Sequence, residues 1–172
     1  MSLTSSQILD AIAERHCHKH QKGRYLFLRE LRVGTGYIAN RSIDGFLMDA
    51  YPSSGMFRTA FEVKVSRADF RREIAEPNKR REAMRYSNYF YFIAPAGVLK
   101  HEDIPVDCGL MEVEPVDPDH PTERFWKHKY KLETIIPAPH RDVPGPTWTF
   151  MAAALRCQMK GRVSEIGAEV AA

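Results

Sequence analysis

A chain of 172 residues has room for one hydrophobic core and a few appended elements, which excludes two independent domains of ordinary size. Hydrophobic residues make up 44% and charged residues 27%, which excludes a wholly disordered chain, and the formal net charge of +3 does not by itself demand a polyanionic partner. Function has to be sought in particular residues.

Cys17, Cys108 and Cys157 are odd in number and far apart, so they outline neither a disulfide framework nor a CxxC metal knuckle. A reducing compartment fits them best. The opening Met-Ser-Leu-Thr-Ser-Ser-Gln lacks the charged and long apolar regions of a signal peptide, and no apolar run reaches membrane-spanning length. The expectation is a cytoplasmic protein with no membrane partner; composition leaves its oligomeric state open.

In chain order, Ser5 or Ser6 is expected to cap a helix whose Ile8, Ala11 and Ile12 recur at helical spacing toward Cys17. Tyr25 to Val33 mixes apolar and charged residues ambiguously between helix and strand, and Gly34-Thr35-Gly36 ends it. Ser42 to Tyr51 and Phe57 to Val65 are rich in strand formers and flank Pro52-Ser53-Ser54-Gly55, which reads as a hairpin. Ser66 with Asp69 has the form of a capping box opening a helix to about Ala75, and Asn78 is expected to cap a second one through Tyr86. Tyr89 to Ala94 reads as a strand covered on both faces, and Gly109 to Glu114 as a further strand.

Prolines punctuate 115–121 and 137–146 without marking a domain boundary. Thr147 to Lys160 reads as a helix with Phe150, Ala154, Leu155 and Met159 on its apolar side, stopped by Gly161. The fold class expected is α/β, a mixed sheet flanked by helices, in one domain over 1–160; residues 161–172 are read as a tail free to be disordered.

Chemistry concentrates in Phe61-Glu62-Val63-Lys64-Val65, where strand alternation sends Glu62 and Lys64 to one face. On the preceding strand Asp44 shares the parity of Phe46 and Met48, and a hairpin of suitable register sets it directly opposite Glu62. Two carboxylates so placed repel each other unless a cation lies between them, and hard oxygen ligands suit Mg2+ or Mn2+, with the Val63 carbonyl a natural further ligand. Lys64 would stabilise charge developing on a phosphate or position the attacking water. Asp49 has the opposite parity and reads as a turn-proximal surface charge.

The run from Arg67 to Arg85 carries a local basic excess that collectively favours nucleic acid, with Arg67, Arg71, Arg72, Lys79, Arg80 and Arg81 the candidate contacts. Structural zinc at His16, Cys17, His18 and His20 is disfavoured, because no second ligand pair stands at finger-like spacing. Trp126 and Trp148 are expected to pack in the core or a lid rather than to stack on bases.

Asp44 followed by Glu62-Val63-Lys64 resembles the signature of the PD-(D/E)XK nuclease superfamily. The stretch Glu62 to Arg71, the Lys79 to Phe92 segment and Ile104 to Val113 resemble its MmcB-like DNA repair branch, over roughly residues 30 to 114. The resemblance implies a restriction-endonuclease-like core and hydrolysis of DNA, in repair or mobile-element processing. Asp44 and Glu62 would be metal ligands and Lys64 the catalytic lysine. Glu30 is similar to an acidic residue that some members carry on the first core helix, and Lys79 to a basic residue after the motif. The leading Pro-Asp is Ile43-Asp44 here, and Arg80 replaces an aromatic residue. A noncatalytic nucleic-acid-binding module on the same fold is the alternative.

Overall fold

The computed structural model describes residues 3–17, 23–33, 42–117, 119 and 128–170, with Lys79 and 161–170 described by backbone alone. It is an α/β arrangement in which six strands form one mixed sheet in sequential order. Strands β1 (Tyr25–Arg32), β2 (Ser42–Asp49) and β3 (Arg58–Val63) run antiparallel. Strands β4 (Tyr89–Pro95) and β5 (Gly109–Pro115) then run parallel to β3, and β6 (Tyr130–Ile136) closes antiparallel on β5. Helix α1 (Ser5–His16) precedes the sheet, α2 (Arg67–Ala75) and α3 (Asn78–Tyr86) link β3 to β4, and α4 (Trp148–Val170) follows β6. This arrangement is compatible with a restriction-endonuclease-like core. Among the described residues no helix is long and apolar enough to cross a membrane.

Alternation along the strands divides the interior into two cores. Phe46, Met48, Ala60, Phe90, Phe92 and Leu110 meet Phe70 of α2, Ala83 and Met84 of α3 and Phe150 of α4. Leu47, Phe61, Val63, Ile93 and Val113 meet Ile8, Leu9 and Ile12 of α1 on the opposite face. Strand β4 supplies both cores, so its nearly continuous apolar run is what a doubly covered strand needs.

Pairing along Tyr25↔Asp49 to Arg32↔Ser42 resolves the ambiguous Tyr25 segment as a strand; the tertiary partner decides where local periodicity does not. Thr4, rather than Ser5 or Ser6, caps α1: its Oγ1 accepts from the Gln7 N–H at 3.3 Å, and the Gln7 side chain accepts from the Thr4 N–H at 2.9 Å. Pro77 takes the cap position of α3, and Asn78 is its first helical residue.

Strand β6 was not expected. Helix α4 continues through Gly161 to Val170, so Gly161 does not stop it as expected. Glycine inside a helix costs only about 1 kcal/mol relative to alanine, so it need not stop one. The buried side of α4 is Phe150, Ala153 and Ala154; Leu155 and Met159 are 62% and 65% exposed and Trp148 is 90% exposed, against expectation. Small side chains let α4 sit close on the sheet, and that choice turns Leu155 and Met159 outward. Trp126, His18 and His20 lie outside the described residues.

Gly109 starts β5 where a Cβ would lie 2.4 Å from the Tyr91 ring and 2.7 Å from the Ala138 backbone nitrogen. Gly109→Ala should therefore cost on the order of 1–3 kcal/mol through overpacking. Urea denaturation of the two proteins measures it, and equal midpoints would contradict the close approach.

Candidate active site

The turn between β2 and β3 is a short 3-10 segment, Pro52–Ser54, closed by Gly55 at φ 83°. It delivers a register in which Gly45 pairs with Phe61 and Leu47 with Thr59. One step further, that register sets Asp44 across from Glu62, on the face of the sheet covered by α2, α3 and α4. Asp44 Oδ2 accepts from the Val63 N–H at 2.9 Å, which ties the carboxylate to the motif strand.

Lys64 lies just beyond β3, and its N–H donates to the Ile93 carbonyl at 2.9 Å, so the alignment with β4 continues through it. Ser66 then caps α2, its Oγ accepting from the Asp69 N–H at 3.2 Å, and the helix brings its own acids back over the lysine. Lys64 is 4% exposed. Its Nζ lies 2.8 Å from Glu62 Oε1, 3.5 Å from Glu73 Oε2 and 3.7 Å from Asp69 Oδ2.

Glu73 was missed by sequence reasoning. Phe70 and Ile74 mark the inward side of α2, and Glu73, three residues after the first and one before the second, falls on that side. An acid on the buried side of a helix beside a motif lysine was the available signal.

Among the described residues negative charge predominates here: Lys64 faces Glu62, Glu73 and Asp69 with Asp44 close by, and Arg72 offsets only part of Asp69 at 3.4 Å. Burial pushes the Glu62 carboxyl up to about 7, with the Asp44 carboxylate adding to the shift. Burial likewise raises Asp44 above the ordinary carboxylate range, against the Val63 hydrogen bond and Lys64. For Lys64 burial acts downward, but Glu62, Glu73 and Asp69 outweigh it and hold the ammonium above its usual value. Glu62 and Glu73 border a cleft of about 120 Å³ that is also lined by Glu82, Val33, Ile43 and Ala83.

Among the described residues, no three His, Cys, Asp or Glu side chains are grouped to hold a metal ion. Magnesium keeps several waters and takes one or two protein carboxylates, so Asp44 and Glu62 with the Val63 carbonyl are a sufficient donor set. The excess of carboxylates over Lys64 among the described residues is what fits a cation.

Glu30 does not join this cluster. It sits on β1 rather than on a helix, is exposed, and has φ 49°, between the Arg29↔Gly45 and Leu31↔Ile43 pairs. The left-handed backbone takes it out of the strand alternation, and its charge bears on Cys157. Asp49 has the parity expected but is no surface charge: it is buried, 3.2 Å from Arg24 Nη2, and its Oδ1 accepts from the Tyr51 N–H at 3.0 Å. His16 packs edge-on against Tyr25, and burial, with Arg15 beside it, lowers its pKa to about 4.

The basic residues divide. Arg71, Arg72 and Arg81 are exposed, and Arg67 pairs with Asp103 at 2.9 Å. Arg80 is half-buried, with Nε and Nη1 enclosed, because its helix position faces the same side as Ala83 and Met84. The Lys79 side chain lies outside the described residues.

No family model matches this chain. No curated protein matches it either. Among solved structures it is similar to the SPO1766 protein of unknown function from Silicibacter pomeroyi, with a TM-score of 0.59 and 16% identity over 98% of this chain and 92% of that one. At that identity the likeness establishes the fold alone.

Proposed function

We propose that this protein is a Mg2+- or Mn2+-dependent nuclease that hydrolyses DNA phosphodiester bonds. The observation that carries the reading is the opposed, half-buried Asp44 and Glu62 pair with buried Lys64 on the same face, beside a cleft lined by Glu62, Glu73 and Glu82. When bound, a divalent ion supplies positive charge to polarise a phosphodiester and lower the pKa of a water. Asp44, Glu62 and the Val63 carbonyl would hold it. Glu73 and Asp69 position Lys64, whose ammonium would meet charge developing on the phosphate. Exposed Arg71, Arg72 and Arg81 would bind the DNA backbone without reading sequence. The three free cysteines support a reducing, cytoplasmic setting.

The test is incubation of the pure protein with supercoiled, linear and single-stranded DNA, with Mg2+, with Mn2+ and with chelator. Cleavage that needs the metal and is lost in Asp44→Ala is the expected result. Binding without cleavage in any of these conditions would favour the noncatalytic module.

Metal should also raise the melting temperature, because it binds the folded state preferentially, and Asp44→Ala should remove most of that rise. A metal at ten times its Kd adds about 1.4 kcal/mol, or about 3–6 °C in a domain of this size. An unchanged metal response in both Asp44→Ala and Glu62→Ala would exclude the proposed site.

A further inference from the structure

Where β3, β4 and β5 begin, three arginines bury N–H groups that meet no acceptor among the described residues. Arg58 opens β3 and is 6% exposed. Its Nη2 donates to the carbonyls of Val143 at 3.3 Å and Pro144 at 2.9 Å, while Nη1 is buried without a partner. Arg80 of α3 buries Nε and Nη1, and Arg141 buries Nε and Nη2, all four unpartnered.

Asn88 ties this region together. Its Oδ1 accepts from the Arg58 N–H at 3.0 Å, its carbonyl accepts from the Arg141 N–H at 2.9 Å, and its Nδ2 donates to the Arg141 carbonyl at 3.1 Å. Arg141 Nη1 reaches the Asp107 carbonyl at 2.9 Å, so the segment 141–144 lies across the starts of the three parallel strands. Arg80 and Arg141 both act on the Cys108 thiol, so both charges lie in its neighbourhood.

That thiol is no counter-ion, since burial, followed by Asp107, pushes its pKa up to about 12. Asp107 directs a carboxylate oxygen to Cys108 Sγ at 3.4 Å and offers Arg141 its carbonyl. Buried cationic donors without acceptors call for an anion, and guanidinium forks match the oxygens of a phosphate.

We propose that Arg58, Arg80 and Arg141 form a binding site for a tetrahedral phosphate group at the start of β3, β4 and β5, separate from the carboxylate cleft. Glu62, Phe92 and Leu110 stand side by side across the sheet. Cys108 lies two residues earlier than Leu110, so strand spacing puts it about 12 Å from Glu62. On the nuclease reading, a phosphate held here belongs to the strand being cut or to its 5′ end; a free phosphate is the other source of the same chemistry.

Melting is measured without metal in sodium phosphate and in sodium chloride of equal ionic strength. The expected result is a rise of about 3–6 °C in phosphate at ten times its Kd, lost in Arg80→Gln and in Arg141→Gln. Each variant is compared with itself in the two salts, so a lower baseline stability does not blur the reading. Arg58 is left intact because it also holds the 143–144 backbone. A second arm compares binding of one oligonucleotide carrying a 5′ phosphate or a 5′ hydroxyl. Tighter binding of the phosphorylated form that is lost in both variants assigns the site to a strand terminus. A phosphate shift with no such preference assigns it to free or backbone phosphate. A shift and a preference that both survive in the two variants, or the absence of both from the parent protein, would overturn the proposal. Neither arm reads cleavage, so its failure would leave the nuclease reading untouched.

Discussion

Lys64→Ala should slow metal-dependent DNA cleavage by about 10²- to 10³-fold while leaving DNA affinity nearly unchanged. A group that acts on charge developing in the transition state changes turnover more than ground-state binding, and removal of one such donor is typically of this size. The lysine is placed for that role because three carboxylates hold its Nζ on the face that carries Glu62. Removing the cation from a buried ion-pair cluster costs about 3–5 kcal/mol, so cleavage is read well below the melting temperature, with folding checked by circular dichroism.

Binding should follow different residues. Combined replacement of Arg71, Arg72 and Arg81 should weaken association and flatten its salt dependence, the log–log slope falling by about 0.9 for each phosphate that is no longer neutralised. If Lys64→Ala cuts DNA at the parent rate, with Glu62→Ala inactive under the same conditions, the mechanism is wrong. If neither variant nor parent cuts, the binding module takes precedence.

Glu62→Gln should make the metal-free protein more stable at pH 8, by up to about 3 kcal/mol, and make almost no difference below pH 4.5. The carboxyl titrates near 4.5 when unfolded and is raised to about 7 in the fold, so between these values the folded state binds the extra proton. Stability contributed by this group is therefore full below pH 4.5 and declines as pH rises through 7. Glutamine has no proton to lose and escapes the decline. Urea denaturation of both proteins from pH 4 to 8 checks the sign; a pH-independent difference would mean that Glu62 is not held against burial and Asp44.

Much of this site was legible because strand parity is a strong constraint. A one-residue slip would have moved Asp44 off Glu62's face, and burying Phe46 and Ala60 on one side with Leu47 and Phe61 on the other fixes the register. Ser66 was likewise readable, since a side-chain cap is a local event. What escaped depends on distant partners. Asp49 acquires its role from Arg24, 25 positions earlier, and Glu73 from a lysine on another element. Strand β6 exists through its ladder with β5, and α4 presents Ala153 and Ala154 rather than its larger side chains because of how closely it approaches the sheet. No window of local sequence contains those partners.

The contact between Lys64 and Glu62 gives the resting cleft an internal tenant. One oxygen of Glu62 is already claimed by an ammonium at 2.8 Å, and Glu73 on α2 lies 3.5 Å from the same Nζ. Any cation arriving at Glu62 thus enters by exchange rather than into a vacancy, and Lys64 has somewhere to go. Its tether is the helix that follows the motif, so the grip of the cleft on a cation and the firmness of α2 vary together. Loosening α2 at Glu73 would leave Lys64 with a single strong partner, make the exchange harder, and lower metal affinity without touching a metal ligand.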